Sequence, residues 1–216
     1  MTARVVLLNG AGSVGKSSVA RAIQAQARDI YLHVQMDTFL EMMPARTLNA
    51  PEGLRFETVE IDGKPVTHVH SGPSQARALD GMRHAIAAMA AEGNNMIVDD
   101  VLFPGDLDAY RTLFAPYNLK VVGLHAPLDV LEAREHTRGD RILGLSRAQI
   151  DLVHKGVTYD LELDTSTLTP DQCAADRGSI RALNAEPSFG CRGGAFRWGH
   201  SRVLDNLHQA TFVADA

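Results

Sequence analysis

The chain has only two cysteines, Cys173 and Cys191, in 216 residues. They lack metal-ligand spacing and read as reduced thiols of a cytoplasmic protein. Positive charge is not in excess. Twenty-one Lys and Arg against 26 Asp and Glu leave a net charge of −5, which argues against a general nucleic-acid binder. Long apolar runs are missing too. None approaches the roughly 20 residues that a membrane helix needs, and Met1-Thr2-Ala3-Arg4 leads straight into a strand pattern instead of a signal peptide. No internal repeat is visible. What remains is an ordinary globular composition, 45% hydrophobic and 22% charged. The length suits one α/β domain with a sizeable core.

Strand and helix patterns alternate along that length. Val5–Asn9, Tyr31–Gln35, Met96–Asp100, Lys120–Leu124 and Tyr159–Asp164 read as five strands of a parallel sheet. Helices are predicted over Ser17–Ala27, Gln75–Glu92, Leu107–Phe114 and Leu128–Thr137. A further one over Ser146–Val153 has Ser146 as its N-cap, and Pro170 opens a last one. Phe56–His70 alternates with period two around Asp62-Gly63, a turn dipeptide, and predicts a β-hairpin inserted into the α/β domain. The periodic pattern ends near Pro187. The chain therefore divides into a domain over 1–187 and a glycine-containing extension over 188–216 that is read as poorly ordered.

The most specific local signal is Gly10-Ala11-Gly12-Ser13-Val14-Gly15-Lys16-Ser17, followed by Ser18 and set between a strand and a helix. That order is the setting of a phosphate-binding loop. Backbone amides curl around phosphate oxygens, and the helix N-terminus adds partial positive charge. Lys16 reaches the β- and γ-phosphates of ATP, and the Ser17 hydroxyl ligates Mg2+. The same glycines also spell G-x-G-x-x-G, with Asp37 about 20 residues on, where a dinucleotide fold places its ribose acid. Lys16-Ser17 has no purpose in that alternative and favours phosphoryl transfer.

Three further features narrow the chemistry. Asp37 follows the second strand and suits a general base for an acceptor hydroxyl; the competing reading is a helix N-cap. Asp99-Asp100 closes an apolar strand in the manner of a Walker B acid, with either carboxylate open as the Mg2+ ligand. Arg134, Arg138 and Arg141 suit a short lid that stabilises charge on the transferring phosphoryl group, with Arg134 and Arg138 on one helix face. Pairing with Glu132, Glu135 and Asp140 on a solvated face is the competing reading. His68 and His70 share a strand face, but no third metal ligand accompanies them. Phe39, Leu40, Met42, Met43 and Phe56 line an acceptor pocket or belong to the core.

With these motifs placed, the chain resembles the chloramphenicol phosphotransferase family. The matching pieces are Leu8-Asn9-Gly10 leading into Gly15-Lys16-Ser17, then Met36-Asp37 with Glu41 and Met43-Pro44, and Ile97-Val98-Asp99-Asp100-Val101. Further on come Arg134-Glu135, Arg138-Gly139-Asp140-Arg141, the run Val153-His154-Lys155-Gly156-Val157-Thr158-Tyr159-Asp160, and Glu162-Leu163-Asp164-Thr165. They extend from about residue 4 to about 176. The resemblance implies a three-layer P-loop NTPase fold and an ATP- and Mg2+-dependent O-phosphotransferase, with Asp37 as base toward the primary hydroxyl of chloramphenicol. The hairpin and the tail are where the chain departs from that pattern. A kinase of another small metabolite, a dinucleotide-dependent oxidoreductase and a non-catalytic nucleotide switch remain the alternatives. Assembly into a homo-oligomer is left open.

Overall fold

The computed structural model describes residues 2–139 and 142–175. The expected extension over 188–216 and Arg141 lie outside the described residues. In chain order the first elements are β1 (Arg4–Asn9), α1 (Lys16–Gln26), β2 (Tyr31–Gln35), α2 (Met36–Glu41), β3 (Leu54–Ile61), β4 (Lys64–Ser71) and α3 (Pro73–Ala91). They are followed by β5 (Asn95–Asp99), α4 (Asp106–Leu113), β6 (Asn118–His125), α5 (Leu128–Arg138), α6 (Leu145–Gln149), β7 (Leu161–Asp164) and α7 (Pro170–Ala175).

Five strands form one parallel sheet in the order β2-β5-β1-β6-β7. Its inner strands β1 and β5 are near-continuous apolar runs because helices cover both faces. Alternation along β1 divides the core in two. Val6 and Leu8 pack with Ile23 of α1, Leu131 of α5 and Ala174 of α7. Val5 and Leu7 pack with Met82 and Ile86 of α3 and Tyr110 of α4. Leu7, Leu8, Ile23, Met82 and Ile86 are among the largest fully buried side chains. Each contributes about 1.5–3 kcal/mol by leaving water. This is the three-layer α/β arrangement the alternating patterns predict.

The inserted hairpin is present as β3 and β4, paired antiparallel from Leu54↔Ser71 to Ile61↔Lys64. Its turn residues Asp62 and Gly63 have φ of 52° and 71°. Two successive left-handed residues match the right-handed strand twist, which is why Asp-Gly marks such a turn.

Three local expectations are corrected. Ser146 is not an N-cap: Gly144 holds that position, and Ser146 is buried inside α6. Asp37 is not an N-cap either, because α2 starts at Met36 after Gln35. The last strand starts at Leu161, not Tyr159. Tyr159 turns away to accept from Asn9 Nδ2 at 2.7 Å and to meet His154 Nδ1 at 2.6 Å. Among the described residues no helix is long and apolar enough to cross a membrane.

Candidate active site

The phosphate loop links the C-terminal end of the central strand β1 to the start of α1. Its path demands the glycines it contains. A Cβ on Gly10 would stand 2.6 Å from Leu124 O and 2.9 Å from Val14 Cγ1. Gly15 is left-handed at φ 102°, where side chains are strained. Ser13 is also left-handed, at φ 61°. Its hydroxyl is buried without a hydrogen-bond partner, and so has donor capacity for an anion in the loop. The Lys16 ammonium is drawn into the loop and donates to Gly10 O at 2.7 Å and Ala11 O at 3.1 Å. Ser18 follows Ser17 in the first turn of α1.

The two acids closing β5 separate because consecutive strand residues face opposite sides. Asp99 faces α1, and its Oδ2 accepts from Ser17 Oγ at 2.6 Å. His33 Nε2 of β2 lies 3.5 Å from the same oxygen. Burial alone would raise the Asp99 pKa. The pull of His33, Lys16 and Ser17 outweighs it and holds the carboxyl below its ordinary range. Asp100 faces the α3–α4 layer. It accepts from Tyr110 OH at 2.7 Å and from the Val101 amide at 2.7 Å. Burial drives its pKa up against those bonds and the nearby Arg83. The two acids are therefore chemically different, one ionised beside Ser17 and the other locked into the core.

Asp37 sits in the exposed first turn of α2. It lies two residues beyond Gln35, which pairs in register with Asp99. Both acids thus belong to the carboxyl ends of β2 and β5, on one side of the loop. Between α1, α5 and α7 a cavity of about 680 Å³ is lined by Ser13, Val14, Gly15, Arg134, Arg138 and Thr165 together with parts of α1 and α7. Arg134 and Arg138 share a helix face, as their spacing predicts. Arg134 donates to Thr165 O at 2.7 Å and Thr165 Oγ1 at 3.1 Å, and Thr165 Oγ1 donates to Val14 O at 2.8 Å. Two acids of the competing reading have other partners, and the third, Asp140, lies outside the described residues. Glu132 pairs with Arg147 and Lys64, and Glu135 accepts from the backbone of residues 144 and 146.

The run Val153–Asp160 buttresses the sheet beside the loop. Asn9, fully buried at the end of β1, donates to Val153 O at 2.6 Å and Tyr159 OH, and accepts from the Leu102 amide at 2.9 Å. His154 stacks on His125 with ring centroids 4.0 Å apart. Burial, then the neighbouring His125, pushes the His154 pKa down to about 4. His70 instead meets Glu57 at 2.9 Å. Among the described residues no group of three or more His, Cys, Asp or Glu is placed to hold a metal.

Sequence reasoning gave no role to His33, Gln149 or Thr165, the last named only within the matching run Glu162-Leu163-Asp164-Thr165. Gln149 and Thr165 reach the loop, and His33 reaches Asp99, only through strand pairing or helix packing between distant segments.

A family model described as chloramphenicol phosphotransferase-like protein matches residues 3–180. A Mycobacterium tuberculosis H37Rv protein provisionally named an O-phosphotransferase is 36% identical over 174 residues, covering 77% of this chain and 76% of its own. Among solved structures, the M. tuberculosis APS kinase in complex with AMPPNP and APS aligns with a TM-score of 0.59 at 18% identity, over 85% of this chain and 99% of its own. A gluconokinase from Sinorhizobium meliloti 1021 aligns with a TM-score of 0.54 at 18% identity, over 85% and 95%. These structural likenesses speak to the fold, which is that of P-loop kinases. With the family model matched across most of its length, the chain belongs to the chloramphenicol phosphotransferase-like family.

Proposed function

We propose that this kinase-type enzyme moves the γ-phosphate of ATP to a hydroxyl of a small molecule, with chloramphenicol the foremost acceptor and antibiotic inactivation the outcome. The Ser17–Asp99 pair carries the reading. It joins the residue after the loop lysine to an ionised acid on the neighbouring strand. A hydroxyl and a carboxylate are hard oxygen donors, the kind Mg2+ selects. Ser17 and Asp99 would hold the ion, and bound Mg2+ would offset charge on the β- and γ-phosphates. Asp100 is assigned a structural role.

The division of the site supports a donor side and an acceptor side. The cavity between α1, α5 and α7 suits the nucleoside. Residues 10–18 suit the phosphates, with the Ser13 hydroxyl and the loop amides other than that of Gly12, which Gln149 holds, as donors and Arg134 at the cavity wall. Asp37 stands apart from that cavity, at the start of α2. There it takes the proton of the acceptor hydroxyl as that oxygen bonds to the γ-phosphorus and the bond to the β-phosphate oxygen breaks, releasing ADP. Lys16 and Arg138 stabilise the charge that develops, with Arg141 assigned the same role from its sequence motif. A ribose role for Asp37 in an oxidoreductase would leave the Ser17–Asp99 pair without purpose.

The test is a transfer assay with γ-labelled ATP and a panel of hydroxyl compounds that includes chloramphenicol, beside titrations with Mg-ATP and NAD. Label in chloramphenicol that disappears in folded Lys16→Ala supports the reading. Label only in another compound would move the acceptor but keep the reaction. Binding of NAD without Mg-ATP would revive the oxidoreductase. Residues 1–187 are proposed as the catalytic unit, checked by assaying that fragment alone.

A further inference from the structure

Glu135, Ser146 and Gln149 have no part in the proposed chemistry, yet they converge on one residue of the phosphate loop. The Gly12 amide donates to Gln149 Oε1 at 2.8 Å. The Gly12 carbonyl oxygen lies 2.8 Å from Ser146 Oγ, whose single proton it shares with Glu135 Oε1. Both polar groups of Gly12 are thus held by two side chains three apart on α6, a spacing that puts them on one helix face. A five-residue helix does not stand alone in water. Glu135 of α5 anchors it: Oε1 accepts from the Ser146 amide at 2.6 Å and lies 2.5 Å from Ser146 Oγ, and Oε2 accepts from the Gly144 amide at 3.1 Å. Glu135 is 3% exposed, Ser146 0% and Gln149 9%. On the far side of α6, Thr67 of β4 donates its amide to Gly144 O at 3.0 Å and its hydroxyl to Leu143 O at 2.7 Å.

We infer that α6 is a clamp on the phosphate loop, in which Ser146 and Gln149, seated by Glu135, hold Gly12 in the conformation that phosphate binding requires. They are positioning residues, and the inference rests on the reading of residues 10–17 as the phosphate site. The physical reason lies in Gly12 itself. Glycine has the widest backbone freedom. An unclamped residue there loses that freedom on binding, and the loss subtracts from affinity. The clamp removes it beforehand. Because Thr67 seats the other side of α6, the hairpin and the loop share one hydrogen-bonded path.

The experiment measures Mg-ADP and adenosine affinity for the full chain as wild type, Gln149→Met, Ser146→Ala and the double variant, each with its melting curve. Methionine matches the length of glutamine without its acceptor. Each single change should weaken Mg-ADP by about five- to 30-fold, the backbone freedom that Gly12 then gives up on binding. Adenosine affinity should hold, and the double variant should lose less than the sum because both act on one residue. Unchanged Mg-ADP affinity in Gln149→Met would overturn the clamp. So would tighter binding, which would make Gln149 a plug that phosphate displaces. Parallel losses for both probes with an early melt would reduce these residues to scaffold. A wild type that binds no Mg-ADP would overturn the phosphate-site reading itself, and the clamp with it.

Discussion

Ser17 Oγ donates to Asp99 Oδ2 at 2.6 Å, while the adjacent Asp100 accepts from Tyr110 OH on the opposite face of the sheet. One residue step along β5 therefore separates an acid at the loop from an acid in the core. Asp99→Asn should raise the Mg2+ concentration needed for nucleotide binding, read by titration, with a nearly unchanged melting midpoint. Asp100→Ala should do the reverse. It strands the Tyr110 hydroxyl in the core, at a cost of about 1–3 kcal/mol, read by denaturant unfolding. Equal Mg2+ dependence in the two variants would undo the division.

Asp37→Asn keeps the side chain's shape and removes its capacity to accept a proton. Acceptor phosphorylation should fall by about 10²–10⁴-fold. Mg-ATP affinity should hardly move, since Lys16, Ser17 and the loop amides remain. A variant that retains turnover would remove Asp37 from the role of base.

Arg138 lines the cavity beside the loop at the end of α5. A group that meets charge only as it develops acts on the transition state. Arg138→Ala should therefore lower turnover by roughly 10²-fold while Mg-ATP affinity changes by no more than a few-fold. Matched losses in kcat/KM and affinity would make Arg138 a ligand of the ground state.

Acidification should destabilise the fold through His154. Its ring loses its proton near pH 4 in the folded chain, against an ordinary 6.5. Between those values the unfolded chain binds the extra proton, so stability falls as pH drops from 6.5 toward 4 and levels off below. For a partly exposed ring, screened by solvent, the loss is on the order of 1–2 kcal/mol. His154→Gln should flatten the slope of melting temperature over that window, and an unchanged slope would assign it to other groups.

The sequence by itself determined what depends on neighbours along the chain. Apolar runs and their periods mark the five strands and their helices, because burial on one or two faces leaves a period behind. The hairpin is visible because Asp62-Gly63 suits two left-handed residues. The loop is visible because Gly10, Gly15, Lys16 and Ser17 each meet a local demand of phosphate binding. Family membership followed from contiguous motifs of the same kind. The choice between Asp99 and Asp100 was not legible, since it depends on which layer packs over each face of β5. The seat of Ser146 was misread for a related reason: a serine before an apolar turn looks like a cap, but Glu135 from another helix supplies the acceptor for its amide. Gln149 and His33 had no local signature at all. Their partners are 137 residues away at Gly12 and across a strand pair at Asp99. Only the tertiary structure, by stacking distant segments into one sheet and its two covering layers, decided what those side chains touch.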